Sequence, residues 1–338
     1  MNGLNLRSRL FFLVYPFSTI VAIRQARGVG VGIENGPPVN DPFYDDQEPY
    51  FNFVGIPSAW RRMASVPSRK RVTVASLDTG VKPDHPDLVG SLVKGYNVID
   101  KTTNTPDKHG HGTSMAGIFG ATTNNSIGIA GVTNLVNIMP ISMEDQWTDG
   151  VYANAVEYAI NKKDASNIKV IHLPFSGTEP LPQLAEKIEQ AIAAGMLVIV
   201  TAGNNATNIT EDKRYPCALT ERLRGMLCVA ATERTEMKLE GFSNFGDCVD
   251  IAAPGDKIFT TYNNDVMHYG VAYKTSAASA IVVGVAAMLY SLNPNLSPVE
   301  VKQIIKSTSR KGIQLTPRVT LPFGLIDAGA AVEKVLSR

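Results

Sequence analysis

The chain has 338 residues, enough for one large domain or two ordinary ones with a substantial core. With 32 basic against 31 acidic residues its formal charge is +1, so composition offers no electrostatic reason to expect a nucleic-acid or membrane partner. Three cysteines, Cys217, Cys228 and Cys248, are too few for a disulfide-built scaffold and lack metal-type CxxC spacing; one bridge plus a free thiol and three buried thiols both fit.

At the N-terminus, Arg7 and Arg9 precede an apolar run from Leu10 to Ile23, which Arg24 and Arg27 close. The run suits a signal-peptide core and is short for a membrane span, although Pro16 interrupts it and no A-x-A cleavage site follows. Residues 1–27 therefore read as a signal peptide or anchor. The expected location is outside the cell or in the secretory-pathway lumen, with no stable membrane insertion. Residues 28–70 are rich in Gly, Pro and Asp and read as an arm and loops, with a short helix near Ile56–Met63. Residues 71–338 form the main domain.

In that domain "RVTVASLD" (71–78) is an apolar strand ending in an acid, and "GTSMAGIFGA" (112–121) suits a buried helix. "VNIMPISM" is the next strand, and "DGVYANAVEYAINK" has helical spacing at Val151, Ala155, Tyr158 and Ala159. After the strand "KVIHLPFSG", a helix with apolar positions Leu184, Ile188 and Ile192 stops at Gly195. "MLVIVTAGNN" reads as a fully buried strand, "SAASAIVVGVAAML" as a buried helix that Ser276 would cap. Ser297 to Glu300 form a capping box with Pro298 at the first helical position. This alternation predicts an α/β fold, a single doubly wound domain with a mostly parallel central sheet.

Open parallel sheets gather their working residues beyond the carboxyl ends of the strands. Asp78 and Asn204 stand at two such ends, while His111 and Ser276 stand where two helices should begin. Taken singly, each has a plainer use: Asp78 and Asn204 as turn residues, His111 as a packed histidine, Ser276 as a cap. Together they supply the parts of a nucleophilic site. A serine hydroxyl needs an adjacent base, a histidine supplies it near neutral pH, and a carboxylate fixes the imidazole. An amide side chain and a backbone N–H at a helix start would serve an oxyanion. His109 beside His111 invites a zinc reading, but no HExxH or carboxylate partner at helical spacing accompanies them. His85 and His268 read as structural, and His172 as a packed strand histidine.

Five segments in order carry a resemblance. "LDTGVKPDHPDL" resembles the aspartate motif of the subtilisin-like serine proteases, and "HGHGTSMAG" the histidine motif. "VTAGNN" resembles their oxyanion segment, "SNFGDCVDIAAPG" the block before the nucleophile, and "YKTSAASAIVVG" the nucleophile motif in part. The likeness spans roughly residues 40 to 335. It implies a subtilisin-like fold and an endopeptidase acting on protein or peptide substrates as a monomer, with Asp78, His111 and Ser276 catalytic and Asn204 in the oxyanion hole. The substrate-binding strand would include Leu173, Pro174, Phe175 and Ser176. "TNNSIGIAG" and "NDPFYDDQ" resemble a calcium loop and the arm that joins it, implying a structural Ca²⁺ held by Asp41, Asp87, Thr123, Asn125, Ile127 and Ile129.

Two departures bear on activity. Lys274 stands where the family has glycine just before Thr-Ser, a position where backbone approaches a ligand closely or takes strained angles. Pro174 has no N–H to give a substrate. With no folded pro-segment evident in residues 24–40, they motivate the alternative of a catalytically impaired homologue acting as a binding or regulatory protein. A nucleotide-binding reading fails, because "GVGVG" follows no strand and lacks G-x-G-x-x-G spacing. No acidic cluster near the binding strands argues for dibasic specificity, so the expected P1 preference is broad or apolar. Arg69–Arg71 reads as a solvated charge run, and the sequons at Asn124, Asn205, Asn208 and Asn295 matter only after export.

Overall fold

Short valine- and isoleucine-rich runs become the strands of one eight-stranded, wholly parallel sheet in the computed structural model, which describes residues 39–144 and 146–338. The predicted signal peptide or anchor at residues 1–27 lies outside the described residues. In chain order the first elements are α1 (Tyr44–Phe53), α2 (Ile56–Ala64), β1 (Val72–Asp78), β2 (Tyr96–Asn97), α3 (His111–Gly120), β3 (Val136–Ser142) and α4 (Asp149–Ser166). Then come β4 (Ile168–Leu173), α5 (Pro182–Ala193), β5 (Leu197–Thr201), β6 (Met226–Thr232), β7 (Ile251–Pro254), β8 (Ile258–Thr261) and β9 (Tyr269–Ala272). The chain ends with α6 (Lys274–Leu292), α7 (Pro298–Thr308), β10 (Gln314–Thr316), β11 (Val319–Thr320), β12 (Gly324–Leu325) and α8 (Ala328–Leu336).

The sheet order is β12-β7-β6-β5-β4-β1-β3-β2. Because β1 lies between β3 and β4, the chain first winds to one side of β1 and then to the other. The crevice of a doubly wound sheet opens at such a reversal, beyond the strand ends. Every position of β1, β5 and β6 is buried, as expected when helices cover both faces and the strands read as continuous apolar runs. The α3 and α6 helices pack on each other and both touch β1, while α4 and α5 form a second pair.

Helix α6 is the axis of the core: every residue from Thr275 to Ser291 is buried. Its length and composition would let it cross a bilayer, but an apolar surface on all sides also suits a helix enclosed by protein, which is its state here. The capping box at Ser297 and Glu300 forms as predicted, and α5 ends before Gly195, whose φ of +86° is readily adopted by glycine.

In the arm the short helix expected near Ile56–Met63 forms as α2, whereas α1 stands where loops were expected. Their hold is aromatic: Tyr50 and Trp60 both meet Phe51 edge-on, and Trp60 Nε1 donates to Val132 O at 2.8 Å. Among the cysteines, Cys217 and Cys228 are bridged and Cys248 is a buried free thiol whose Sγ lies 3.3 Å from that of Cys217.

Candidate active site

Asp78 closes β1, with its side chain only 2% exposed, and His111 opens α3 across the turn. The Nδ1 of His111 lies 2.7 and 2.9 Å from the two Asp78 carboxylate oxygens. Asp78 Oδ1 also accepts the Thr79 N–H at 2.7 Å, which fixes the carboxylate against rotation. Two turns must approach closely for this. A Cβ on Gly112 would fall 2.0 Å from Gly80 O, so only glycine fits there. Burial alone would depress the His111 pKa, but the charge and hydrogen bond of Asp78, with Asp107 beyond it, outweigh burial and hold it above its ordinary value. Nδ1 is thereby committed to Asp78. The His111 side chain is 31% exposed, so substrate can reach it.

Ser276 lies in the first turn of α6 and its hydroxyl donates to Pro174 O at 3.0 Å. It is not the cap expected from sequence. The helix begins two residues earlier at Lys274, with Tyr273 at the cap position and no side-chain capping bond. The amide oxygen of Asn204 accepts both the Thr275 N–H and the Thr275 hydroxyl, each at 2.9 Å. That pins Asn204 beside the first turn of α6. Lys274 takes a φ of +85°, the left-handed conformation natural to the family's glycine, and its ammonium lies 4.5 Å from the Phe242 ring. In the predicted substrate strand, the side chains of Leu173, Pro174 and Phe175 are buried, with Phe175 stacked on Tyr152 at 3.9 Å. Ser176 is partly exposed, and Gly177 beyond it pairs with Tyr215 through two 2.8 Å bonds.

A second histidine–serine contact exists: His172 Nε2 lies 2.8 Å from Ser279 Oγ. Ser279 spends its hydrogen on Ser276 O, so His172 is the donor in that pair. Both side chains are fully buried, out of reach of any peptide, and burial with the charge of His111 pushes the His172 pKa down to about 3. His172 is thus a neutral packing residue beneath the site. His85 is likewise internal, bonded between His268 O and the Asp87 N–H. Asp107, which sequence reading passed over, is the buried carboxylate behind His111. Its only sequence signal is an acid four residues before His111 in a helix-start position.

Of the predicted calcium residues, Asp41, Asp87, Asn125 and Ile129 meet in one loop, whereas Thr123 bonds Asn134 through both its N–H and its carbonyl. Asp41 accepts the N–H groups of Asn124 and Asn125, and Asp87 accepts Asn125 Nδ2 and the Ile129 N–H. Asp41 and Asp87 are buried, and burial, with the charge of Asp41 contributing, pushes Asp87 up to about 6. Ile129 is buried in this loop, whereas the Ile127 side chain is exposed, which leaves the backbone as its contribution. Two carboxylates, an amide and neighbouring carbonyls make a hard-oxygen donor set of the kind calcium takes. Among the described residues no cluster of three or more His, Cys, Asp or Glu side chains marks a metal site, so backbone carbonyls would have to complete it.

The sequence profile of the subtilase family matches residues 69–325, a span containing Asp78, His111, Asn204 and Ser276. Thermitase of Thermoactinomyces vulgaris is 32% identical over 275 residues, covering 80% of this chain and 91% of that protein. The extracellular basic protease of Dichelobacter nodosus is 29% identical over 350 residues, covering 88% of this chain and 56% of that protein. Among solved structures, a protease of Pseudoalteromonas arctica superposes with a TM-score of 0.76 at 27% identity, covering 88% of this chain and 99% of that one. Relatives named as extracellular and as intracellular proteases both occur. On the family match and the thermitase similarity, the chain belongs to the subtilase family of serine proteases.

Proposed function

We propose that Asp78, His111 and Ser276 are the triad of this subtilisin-like serine endopeptidase and that Asn204 serves its oxyanion hole. The contact of His111 Nδ1 with both oxygens of a buried Asp78 carries the reading. The Ser276 hydroxyl leaves the Pro174 carbonyl, gives its proton to His111 Nε2 and attacks the peptide carbonyl. Asp78 steadies the imidazolium so formed, while Asn204 Nδ2 and the Ser276 N–H at the start of α6 hold the oxyanion. His111 then protonates the leaving amine, and water, activated by the same imidazole, releases the acyl group from Ser276. No observation favours the impaired alternative. Lys274 reproduces a glycine-like backbone, and Pro174 contributes its carbonyl rather than an N–H.

Protein or peptide substrates would lie along residues 173–176, where the stacked Phe175 and Tyr152 form a wall. A structural calcium would be held by the side chains of Asp41, Asp87 and Asn125 with the carbonyls of Thr123, Ile127 and Ile129, neutralising two buried acids. Secretion is supported by the Arg-flanked apolar run at Leu10–Ile23 and by the extracellular relative. A fluorophosphonate probe tests the triad. Labelling should occur in wild type and in Ser279→Ala and vanish in Ser276→Ala; labelling that survives Ser276→Ala overturns the assignment.

A further inference from the structure

Helix α3, which begins with His111, starts after Gly110, a residue with a φ of +92° and no side chain with which to cap. Asp107 takes over that task from the loop before it. Its Oδ1 accepts the N–H groups of His109 at 3.0 Å and Gly110 at 2.8 Å; its Oδ2 accepts the Thr113 N–H at 2.8 Å and the Thr113 hydroxyl at 2.6 Å. A helix cap needs no more than this. Asp107 makes one further link and its partner Thr113 a second, both to the turn that follows Asp78. Thr79 Oγ1 donates to Asp107 Oδ1 at 2.8 Å and itself accepts the Gly112 N–H at 2.9 Å. The Lys82 N–H donates to Thr113 Oγ1 at 3.0 Å, the same hydroxyl that donates to Asp107. One carboxylate, 8% exposed, thus joins the strand end that carries Asp78 to the helix start that carries His111.

We infer that Asp107 is a positioning residue of the reaction: it sets the register of His111 against Asp78 and keeps a second negative charge behind the imidazole. The inference rests on the triad reading above. Asp78 faces His111 from β1 and Asp107 from the preceding loop, both favouring its charged form. His172 lies near it on β4 and stays neutral. Lys274 is the only charged residue of α6, and its ammonium is turned to Phe242; β3 and β8 bring no charged residue. Removing the Asp107 charge therefore favours neutral His111, while removing the ties loosens the Asp78–His111 register.

The test uses the purified full chain and three variants: Asp107→Asn, Asp107→Ala and Thr79→Val. Thr79→Val removes the hydroxyl that bonds both Asp107 and the Gly112 N–H, and leaves the charge. In Asp107→Asn, kcat per labelled Ser276 should fall by about 10–100-fold with KM changed less than about threefold, the scale of loss when reacting groups are displaced by a fraction of an ångström to an ångström. The acid limb of kcat/KM should move to lower pH in both Asp107 variants. Thr79→Val should lower kcat with the acid limb in place. If Asp107→Asn reduces thermal stability while kcat per labelled site and the acid limb stay at wild-type values, Asp107 is a helix cap and nothing more. If the Asp107 variants do not fold, an unchanged kcat in folded Thr79→Val overturns the positioning role. Loss of Ser276-dependent labelling in wild type would instead remove the triad reading itself, a separate failure.

Discussion

Lys274 offers the sharpest test of how the nucleophile's turn is built. Its φ of +85° is a conformation that costs an L-residue about 1–2 kcal/mol. The ammonium 4.5 Å from the Phe242 ring offsets about 0.5–1 kcal/mol of that at a half-buried site. Lys274→Gly removes the strain, loses the ring contact and adds about 0.5–1 kcal/mol of unfolded-state freedom, so its stability should lie within about 1 kcal/mol of wild type. Lys274→Ala keeps the strain and loses the ring contact, and should fall below wild type by about 0.5–1 kcal/mol. The order of the two variants is the discriminating result. Glycine should exceed alanine by about 0.5–1 kcal/mol, at about 1.5–2 °C of melting midpoint per kcal/mol for about 300 ordered residues.

Thermal and urea unfolding would be followed on protein blocked with fluorophosphonate, which prevents self-digestion during the scan. An alanine variant as stable as the glycine variant would refute the claim that a left-handed backbone is being strained here. Activity supplies a second arm. Since the Lys274 N–H already donates to Gly255 O at 2.9 Å, the glycine variant needs no new backbone path and its kcat/KM should stay within about threefold of wild type. A rise of roughly tenfold or more would mean that the lysine side chain obstructs the site, and would return weight to an impaired native enzyme.

Asn204→Ala should lower kcat by about 10²–10³ with little change in KM, the usual scale for losing one oxyanion-hole donor; a KM effect alone would reassign Asn204 to substrate binding. Because Asp78 holds the His111 pKa above its ordinary value and catalysis needs neutral His111, kcat/KM should rise with pH to a half-point above about 6.5. The same raised pKa makes the pair's stabilisation of Ser276→Ala complete below the unfolded histidine pKa and lost as pH rises through the folded one; melting midpoints across pH 5–9 would read it. Chelation should lower the melting midpoint of wild type, and Asp41→Asn or Asp87→Asn should remove that response; a chelator-insensitive wild type would exclude a stabilising calcium. In Cys228→Ser, Cys217 should pair instead with Cys248, whose Sγ stands 3.3 Å away, and peptide mapping that finds both thiols free would refute the proximity.

What could be read from sequence was local. The capping box at Ser297, the stop of α5 before Gly195 and the buried run of β5 each depend on residues a few positions apart, so spacing and turn chemistry expose them. Asp78 and His111 were legible because each stands in a glycine turn beside a strand or helix end, although 33 positions separate them. What escaped depends on which strands become neighbours. Tyr50 and Phe51 show no helical stripe that distinguishes α1 from an arm, and their order comes from edge-on packing with each other and with Trp60. His172 reads as a packed strand histidine from sequence and is one, but its partner Ser279, 107 positions away, is set only by the register of α6.

Asp107 shows the same limit at the site itself. In sequence it is one acid in a polar loop, and its nearest visible use is a helix cap. Its bond to Thr79, 28 positions earlier, exists only because β1 ends beside the start of α3, and that adjacency is a property of the sheet crossing. A buried carboxylate with five donors is costly to leave partly paired, so the two turns are held together or neither is well placed. The motif residues name the chemistry; the long-range carboxylate fixes the distance at which that chemistry runs. Double-mutant cycles between Thr79→Val and Asp107→Asn should therefore be strongly non-additive in kcat, because either change breaks the same tie.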